Sequence, residues 1–520
     1  MRRNMLLLIF FSFIFSVQII PQEKIDYQMM QRIRQEGLQN SKVMELMSYL
    51  CDIYAPRLAA SPQYRQAGQW VIGKLKEYGL ENANMESFGT LGIGWELKKF
   101  YAAMTSPQYM PFIAYPKAWT PGLNSIVKGN AVLMDVKTEA DLDDFRGKLK
   151  GAIVLSKGEQ PITLGMEADG KRFSDEDLKN LQLAQENSGR NFDPSQFAAR
   201  RAARELQQNV AKFLKDEGAL VILEPSRGID GTVFVQSGGS YKKNSEMPLP
   251  SIVVSSEQYN RMVRIAQKNV PVTIEFEIQA NFVNTDSLGY NIIAEIPGTD
   301  KKLKDEVVML GGHFDTWQAG TGGTDNSSGT AIAMEAVRIL KALNVKPRRT
   351  IRIALWDAEE EGLLGSRGYV KNHFFDAEKK EKKPEYDKLA AYFNYDNGAG
   401  KIRGIYAQSN IAVMPIFEEW LKPFNDLGAT TVTLRNTGST DHASFDGAGL
   451  PGFQFIQDPM EYSTRTHHSN MDVYDHTISA DLIQSATIMV AFVYNTAMRD
   501  EKLPRKYFDP NAVQQRRPRF

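Results

Sequence analysis

Cysteine is almost absent from this sequence: Cys51 is the only one in 520 residues. That excludes an intramolecular disulfide framework and any zinc module built from thiolates, and Cys51 itself reads as a small buried side chain. Histidine is scarce as well, with six in the chain. A metal site here must therefore combine histidine with aspartate and glutamate. An excess of either charge is also missing, since 62 basic side chains stand against 62 acidic ones. Without a net field the chain is drawn neither to nucleic acid nor to an anionic membrane. Long apolar runs are missing after the first twenty residues, so no later stretch is a membrane span. What remains is ample for packing: 42% of residues are hydrophobic, which excludes general disorder. The length suggests two or more domains.

Arg2 and Arg3 precede an apolar run from Met5 to Ile20, and polar chain starts at Gln22 and Glu23. The run is short for a span of about 20 residues, and the basic-then-apolar order fits a secretory signal over residues 1–22. An uncleaved anchor is the alternative, because no small-x-small cleavage site stands out. Asn326 is the sole N-x-[ST] glycosylation acceptor, which favours a bacterial exported protein, periplasmic or extracellular, free of the membrane once the signal is gone.

Residues from Ile25 to about Tyr78 are patterned as helices broken by the loop APRLAASP. From about residue 120 to 283 short β-like runs dominate, with a polar, helical excursion at 163–213. After Asn284 strands alternate with helices of ten or more residues, as in Val307 to Leu310 followed by Gly329 to Leu343, and Thr350 to Trp356 followed by Leu364 to His373. That order predicts an α/β fold with a mixed, mostly parallel sheet sandwiched by helices. The expected organisation is one discontinuous domain, 23–119 with 284–505, split by a β-rich insertion at 120–283 and followed by a tail, 506–520.

In such sheets functional groups gather beyond the carboxyl ends of the strands, and candidate metal-binding residues fall there. His313 and Asp315 leave the first strand two residues apart. Asp325 follows in a glycine-rich turn at the start of a helix, where it or Ser327 could instead cap that helix. Glu359, Glu360 and Glu361 follow the second strand, as either a solvated loop or a catalytic cluster. Asp396 ends the third strand, and His467 and His468 precede Asp472 near the last helix. His373 and His476 read as surface residues at helix ends.

The ordered set of His313 to Asp315, Asp325 to Gly329, Glu359 to Ser366, Asn394 to Asp396 and His468 to Asp472 resembles the zinc-dependent exopeptidases of the bacterial leucyl aminopeptidase and glutamate carboxypeptidase type, most nearly in the layout of carboxypeptidase Q. The segment Pro56 to Pro62 is similar to that family's N-terminal signature, and the inserted block to a protease-associated domain. The resemblance implies two zinc ions per chain, with His313 and Asp396 on one, Glu360 and His468 on the other, and Asp325 bridging. It implies Glu359 as general base for a water shared between the metals, and Asp315 as the residue that orients His313. His467 stands where some relatives carry a tyrosine that supports the oxyanion, and a histidine can donate the same bond. His442 lies in a stretch similar to the family's segment beside the substrate. The expected substrate is a dipeptide or short peptide. A strict N-terminal aminopeptidase and an inactive binding protein on the same fold are the alternatives. A carboxypeptidase or dipeptidase needs a cation for the terminal carboxylate, for which Arg465 and Arg435 are candidates. Relatives of this type are often homodimers.

Overall fold

The computed structural model describes residues 23–123, 125–183 and 194–510. The expected signal segment, residues 1–22, and the tail beyond 510 lie outside the described residues. Among the described residues no helix is long and apolar enough to cross a membrane.

The larger of two eight-stranded sheets runs in the order Glu81–Thr90, Leu288–Ile296, Thr350–Trp356, Val307–His313, Leu389–Asn394, Gly452–Gln457, Ile402–Tyr406, Thr431–Thr433. Its four central strands are mutually parallel, and antiparallel pairings join the flanking strands to them. Successive side chains on a strand point to opposite faces. Val308 and Leu310 accordingly enter the core beneath helices Ser328–Ala342 and Ser479–Met498, while Val307 and Met309 enter the opposite core with Tyr369 and Phe445. Because both faces are covered, the central strands read as unbroken apolar runs.

The second sheet, in the order Met110–Pro111, Gly94–Ser106, Thr273–Val283, Val127–Leu133, Ile153–Leu155, Val221–Pro225, Ser251–Val254, Ala114–Pro116, is the β-rich insertion. The long strand Gly94–Ser106, which precedes residue 120, belongs to this sheet through its pairing with Thr273–Val283. Glu96, Lys98 and Lys99 interrupt the alternation of that strand and hide it from a sequence reading. The excursion has two helices, Asp175–Leu183 and Pro194–Asp216. The expected tail starts inside the packed structure, with Phe508 against Phe375 at 5.2 Å.

His373 is not a free surface residue. Its ring stacks on Tyr369 at 4.3 Å, and its nitrogens meet Glu86 at 2.6 Å and Glu385 at 3.4 Å. Burial opposes its charge, but the hydrogen bonds to Glu385 and Glu86 win and raise its pKa to about 9. A raised histidine stabilises the fold below its unfolded value near 6.5, and the contribution is lost as pH rises through 9. His373→Gln should therefore melt earlier than the parent at pH 6, with the gap closing by about pH 9.5. A gap that stays constant across that range would argue against the ion pair.

Candidate metal centre

Three parallel strands deliver their carboxyl ends to one edge of the large sheet. His313 is the last residue of its strand, Glu359 and Glu360 follow Trp356 by three and four positions, and Asp396 follows Asn394 by two. Asp325 comes from the turn before helix Ser328–Ala342. Gly322 opens that turn at φ +67°, and a Cβ on Gly329 would lie 2.3 Å from the Tyr395 carbonyl oxygen, so both positions call for glycine. The helix cap is not Asp325: Asn326 Oδ1 accepts the Gly329 N–H at 2.8 Å, and Ser327 Oγ accepts from Arg57 at 2.8 Å. Asp325 is thus left for other work.

The two oxygens of Asp325 face different partners. Oδ1 lies 3.1 Å from His313 Nε2, which is also 3.6 Å from Asp396 Oδ1. Oδ2 lies 3.2 Å from His468 Nε2, which is also 2.9 Å from Glu360 Oε2. His467 stands beside the second group, its Nε2 3.8 Å from Asp325 Oδ2 and its ring 3.6 Å from that of His468. His313 with Asp325 and Asp396, and Asp325 with His467 and His468, each bring three ligand atoms within 4.8 Å of one another.

The electrostatics of this nest ask for cations. Burial disfavours charge on His313, yet Asp396, Asp315 and Asp325 hold its pKa well above the ordinary value. Burial also works against the Asp325 carboxylate, but hydrogen bonds from His313 and His468 keep its pKa well below the usual range. Burial drives Glu359 far up, helped by Asp396 and Asp441, and pushes Glu360 up to about 7. Glu360 Oε1 is buried with no hydrogen-bond partner among the described residues. Buried carboxylates in such excess are stable only when paired or metal-bound. Two histidines and three carboxylates, with one carboxylate shared, are a donor set for a pair of divalent ions. The residues fit that group.

Neighbouring residues fix the cluster. The Asp315 carboxylate accepts the backbone N–H groups of Glu359 and Glu360, both at 3.2 Å. His313 Nδ1 lies 3.0 Å from the Asp315 carbonyl oxygen and 3.6 Å from its carboxylate, so the backbone of Asp315 is the nearer orienting group. Asp472 Oδ1 accepts from Thr324 N at 2.6 Å and from Thr324 Oγ1 at 2.8 Å, tying the last motif to the Asp325 turn. Fully buried Arg57 donates to the carbonyls of Phe314 and Leu50. The last two roles were not read from the sequence, although a cation within the otherwise mild APRLAASP loop was a signal. Tyr462 was also missed; its ring packs tilted against His467 at 4.6 Å.

The remaining candidates lie differently. His442 is buried, its Nε2 is 3.1 Å from the Thr437 carbonyl, and burial lowers its pKa to about 4. Arg465 is neutralised by Asp169 at 2.6 Å and Glu461 at 3.1 Å. Arg435 stands half-buried after the strand Thr431–Thr433.

The loop that carries His467 and His468 is gripped from both flanks by the inserted unit. On one side Lys171 pairs with Met460, and Arg172 bridges Asp458 at 2.8 Å and Asp481 at 2.9 Å. On the other, Val235 N donates to the His468 carbonyl at 3.0 Å, and Val233 N donates to Asn470 Oδ1 at 2.7 Å. His468 itself has φ +65°. A left-handed backbone costs about 1–2 kcal/mol for such a residue and persists only when its surroundings impose it.

Residues 291–493 match peptidase family M28, and that span contains every residue of the cluster. The stretch is similar to an M28 peptidase domain. Carboxypeptidase Q of Mus musculus is 26% identical to the chain over 476 residues, 90% of this chain and 88% of its own length. A crystal structure of a peptidase M28 precursor from Shewanella amazonensis superposes with a TM-score of 0.65 at 24% identity, covering 92% of this chain and 99% of that one. A zinc aminopeptidase from Bacillus subtilis gives a TM-score of 0.55 at 19% identity, covering 88% and 95%. At these identities the two structures speak for the fold alone. The family match and these relatives make the chain similar to zinc metallopeptidases.

Proposed function

We propose that this M28 protein is an exported di-zinc exopeptidase that hydrolyses dipeptides or short peptides, with Glu359 as general base. The observation that carries the reading is the division of the Asp325 carboxylate between two histidine–carboxylate pairs. Export rests on the basic-then-apolar order of residues 2–20.

Bound in this donor set, two divalent ions would polarise a carbonyl and acidify water. His313 and Asp396 would hold one and Glu360 and His468 the other, with Asp325 shared. Glu359 precedes Glu360 on the same loop, and its buried carboxylate, with its raised pKa, is suited to take a proton from water and pass it to the leaving amine. Asp315 fixes the Glu359–Glu360 backbone, so the base keeps its position while its neighbour ligates. Burial lowers the pKa of His467 to about 4, leaving the ring neutral at pH 7 with an N–H to offer a developing oxyanion. His467→Ala should lower kcat at least about tenfold with metal content intact; unchanged turnover would remove His467 from the reaction.

Native mass spectrometry and a substrate panel test the reading. Two zinc ions per chain, with cleavage of free dipeptides, is the expected result. Zinc-free protein without peptidase activity would overturn it. Release of N-terminal residues from long peptides or aminoacyl anilides, with free dipeptides untouched, would instead select a strict aminopeptidase.

A further inference from the structure

His468 differs from the other candidate ligands in what carries it. His313 ends a strand, Asp396 and Glu360 closely follow strands, and Asp325 lies in the turn that opens helix Ser328–Ala342. His468 instead sits in a loop, just past the turn Tyr462–Thr466, with a left-handed backbone at φ +65°. A non-glycine residue holds that conformation where its surroundings impose it.

The imposing contacts come from the inserted unit. Val235 N donates to the His468 carbonyl at 3.0 Å and Asn470 N to the Val233 carbonyl at 3.1 Å, so the backbone on both sides of Ser469 is laid antiparallel on the segment Val233–Val235. Asn470 extends that pairing with its side chain. Its Oδ1 accepts Val233 N at 2.7 Å, and its Nδ2 donates to the Gly231 carbonyl at 3.3 Å. The amide thus stands in for one more peptide group of a paired strand. The receiving segment is itself fixed: Val233 and Val235 are buried with Val253 of strand Ser251–Val254, and Ser226 Oγ donates to the Thr232 carbonyl at 2.8 Å while accepting Phe234 N at 3.1 Å. The ring of His468 is held as well. It meets Trp317 edge to face at 6.1 Å, and Trp317 meets Trp119, which follows strand Ala114–Pro116 of the second sheet, at 6.2 Å.

We propose that Asn470 is a positioning residue through which the inserted unit fixes the His468 imidazole, and with it the grip on the ion that His468 would share with Glu360. This rests on the di-zinc reading and adds the inserted unit to it as a determinant of metal affinity. Asn470 and His468 belong to the same short bridge, so loss of the two side-chain bonds of Asn470 frees the backbone that aims the imidazole. Groups behind a ligand that orient it govern metal affinity by about 10–100-fold. His313 and Asp396 take their places from parallel strands of the large sheet. The effect of Asn470 should therefore fall on one ion of the pair.

The test titrates full-length Asn470→Ala with zinc against a chromophoric chelator and counts ions per chain by native mass spectrometry. One ion should bind as in the parent and the other about 10–100-fold more weakly, with excess zinc restoring kcat at unchanged KM. Asn470→Asp, which keeps an acceptor for Val233 N, should recover most of the lost affinity. Parental affinity for both ions, or an equal loss at both, would overturn the assignment. Should Asn470→Ala fail to fold, Ser226→Ala loosens the same segment from the inserted side and is read by the same two outcomes. NMR of ring-labelled histidine reads the positioning without zinc or turnover. The His468 signal, identified by its absence in His468→Gln, should move in Asn470→Ala and return towards its parental place in Asn470→Asp; an unmoved signal overturns the proposal. If the parent takes up fewer than two zinc ions, the di-zinc reading fails, and the His468 signal alone decides for or against Asn470.

Discussion

Glu359→Gln is expected to lower kcat by about 10²–10⁴-fold while the protein still binds two zinc ions. The amide keeps the size and shape of the side chain but cannot take a proton from water. Burial, helped by Asp396 and Asp441, already disfavours charge on the Glu359 carboxylate. Removing that charge should not lower the stability of the metal-free protein. The informative pair of measurements is kcat together with zinc content by mass spectrometry. Near-parental kcat would remove Glu359 from its role, whereas loss of a zinc ion would recast it as a ligand.

Asp325→Asn should have a different signature. A carboxamide offers one oxygen and one NH₂, and the NH₂ cannot serve as the second ligand atom. Metal content should fall from two ions to one or none, and activity should fall with it by about a thousandfold or more. The substitution also leaves His313 and His468 beside a neutral group in a buried site. Breaking such a pair on one side costs about 3–5 kcal/mol, so the metal-free variant should melt earlier than the metal-free parent. Circular dichroism at low temperature should show both folded. If Asp325→Asn keeps two zinc ions with parental affinity, the shared-carboxylate arrangement is wrong. Losing the metal pair and losing the proton carrier are thus separable, although the two side chains lie in one cluster.

The central strands of the large sheet and the candidate ligands were legible in the sequence for one physical reason. Strands buried on both faces are continuous apolar runs, so the first acid or histidine beyond each run marks a strand end, and in a parallel sheet those ends share an edge. His313, Glu359 and Asp396 are each such a punctuation mark. Edge strands leave no comparable trace. Glu81–Thr90 is exposed along much of its length and pairs with residues two hundred positions later, so its conformation is set by tertiary pairing and not by local pattern. The same limit hid strand Gly94–Ser106, whose partner Thr273–Val283 lies far along the chain. Partnerships across long separations were equally invisible. Arg465 looked like a free cation because Asp169, nearly three hundred residues earlier, carries no local sign of reaching it.

The pairing of Gly94–Ser106 with Thr273–Val283 has a consequence for how the molecule is made. As the chain is synthesised, edge strand Glu81–Thr90 emerges long before Leu288–Ile296, its partner. Between those two events the inserted sheet is complete and can close on itself, since its first long strand and its last lie side by side. Domains generally fold as units in the order they are produced, and pairings across long separations come late. The body that folds first is therefore the one that holds none of the candidate ligands, and it stands ready as a template when the loop from Asp458 to Asp472, almost the last part of the sheet domain to be made, is laid between its two flanks.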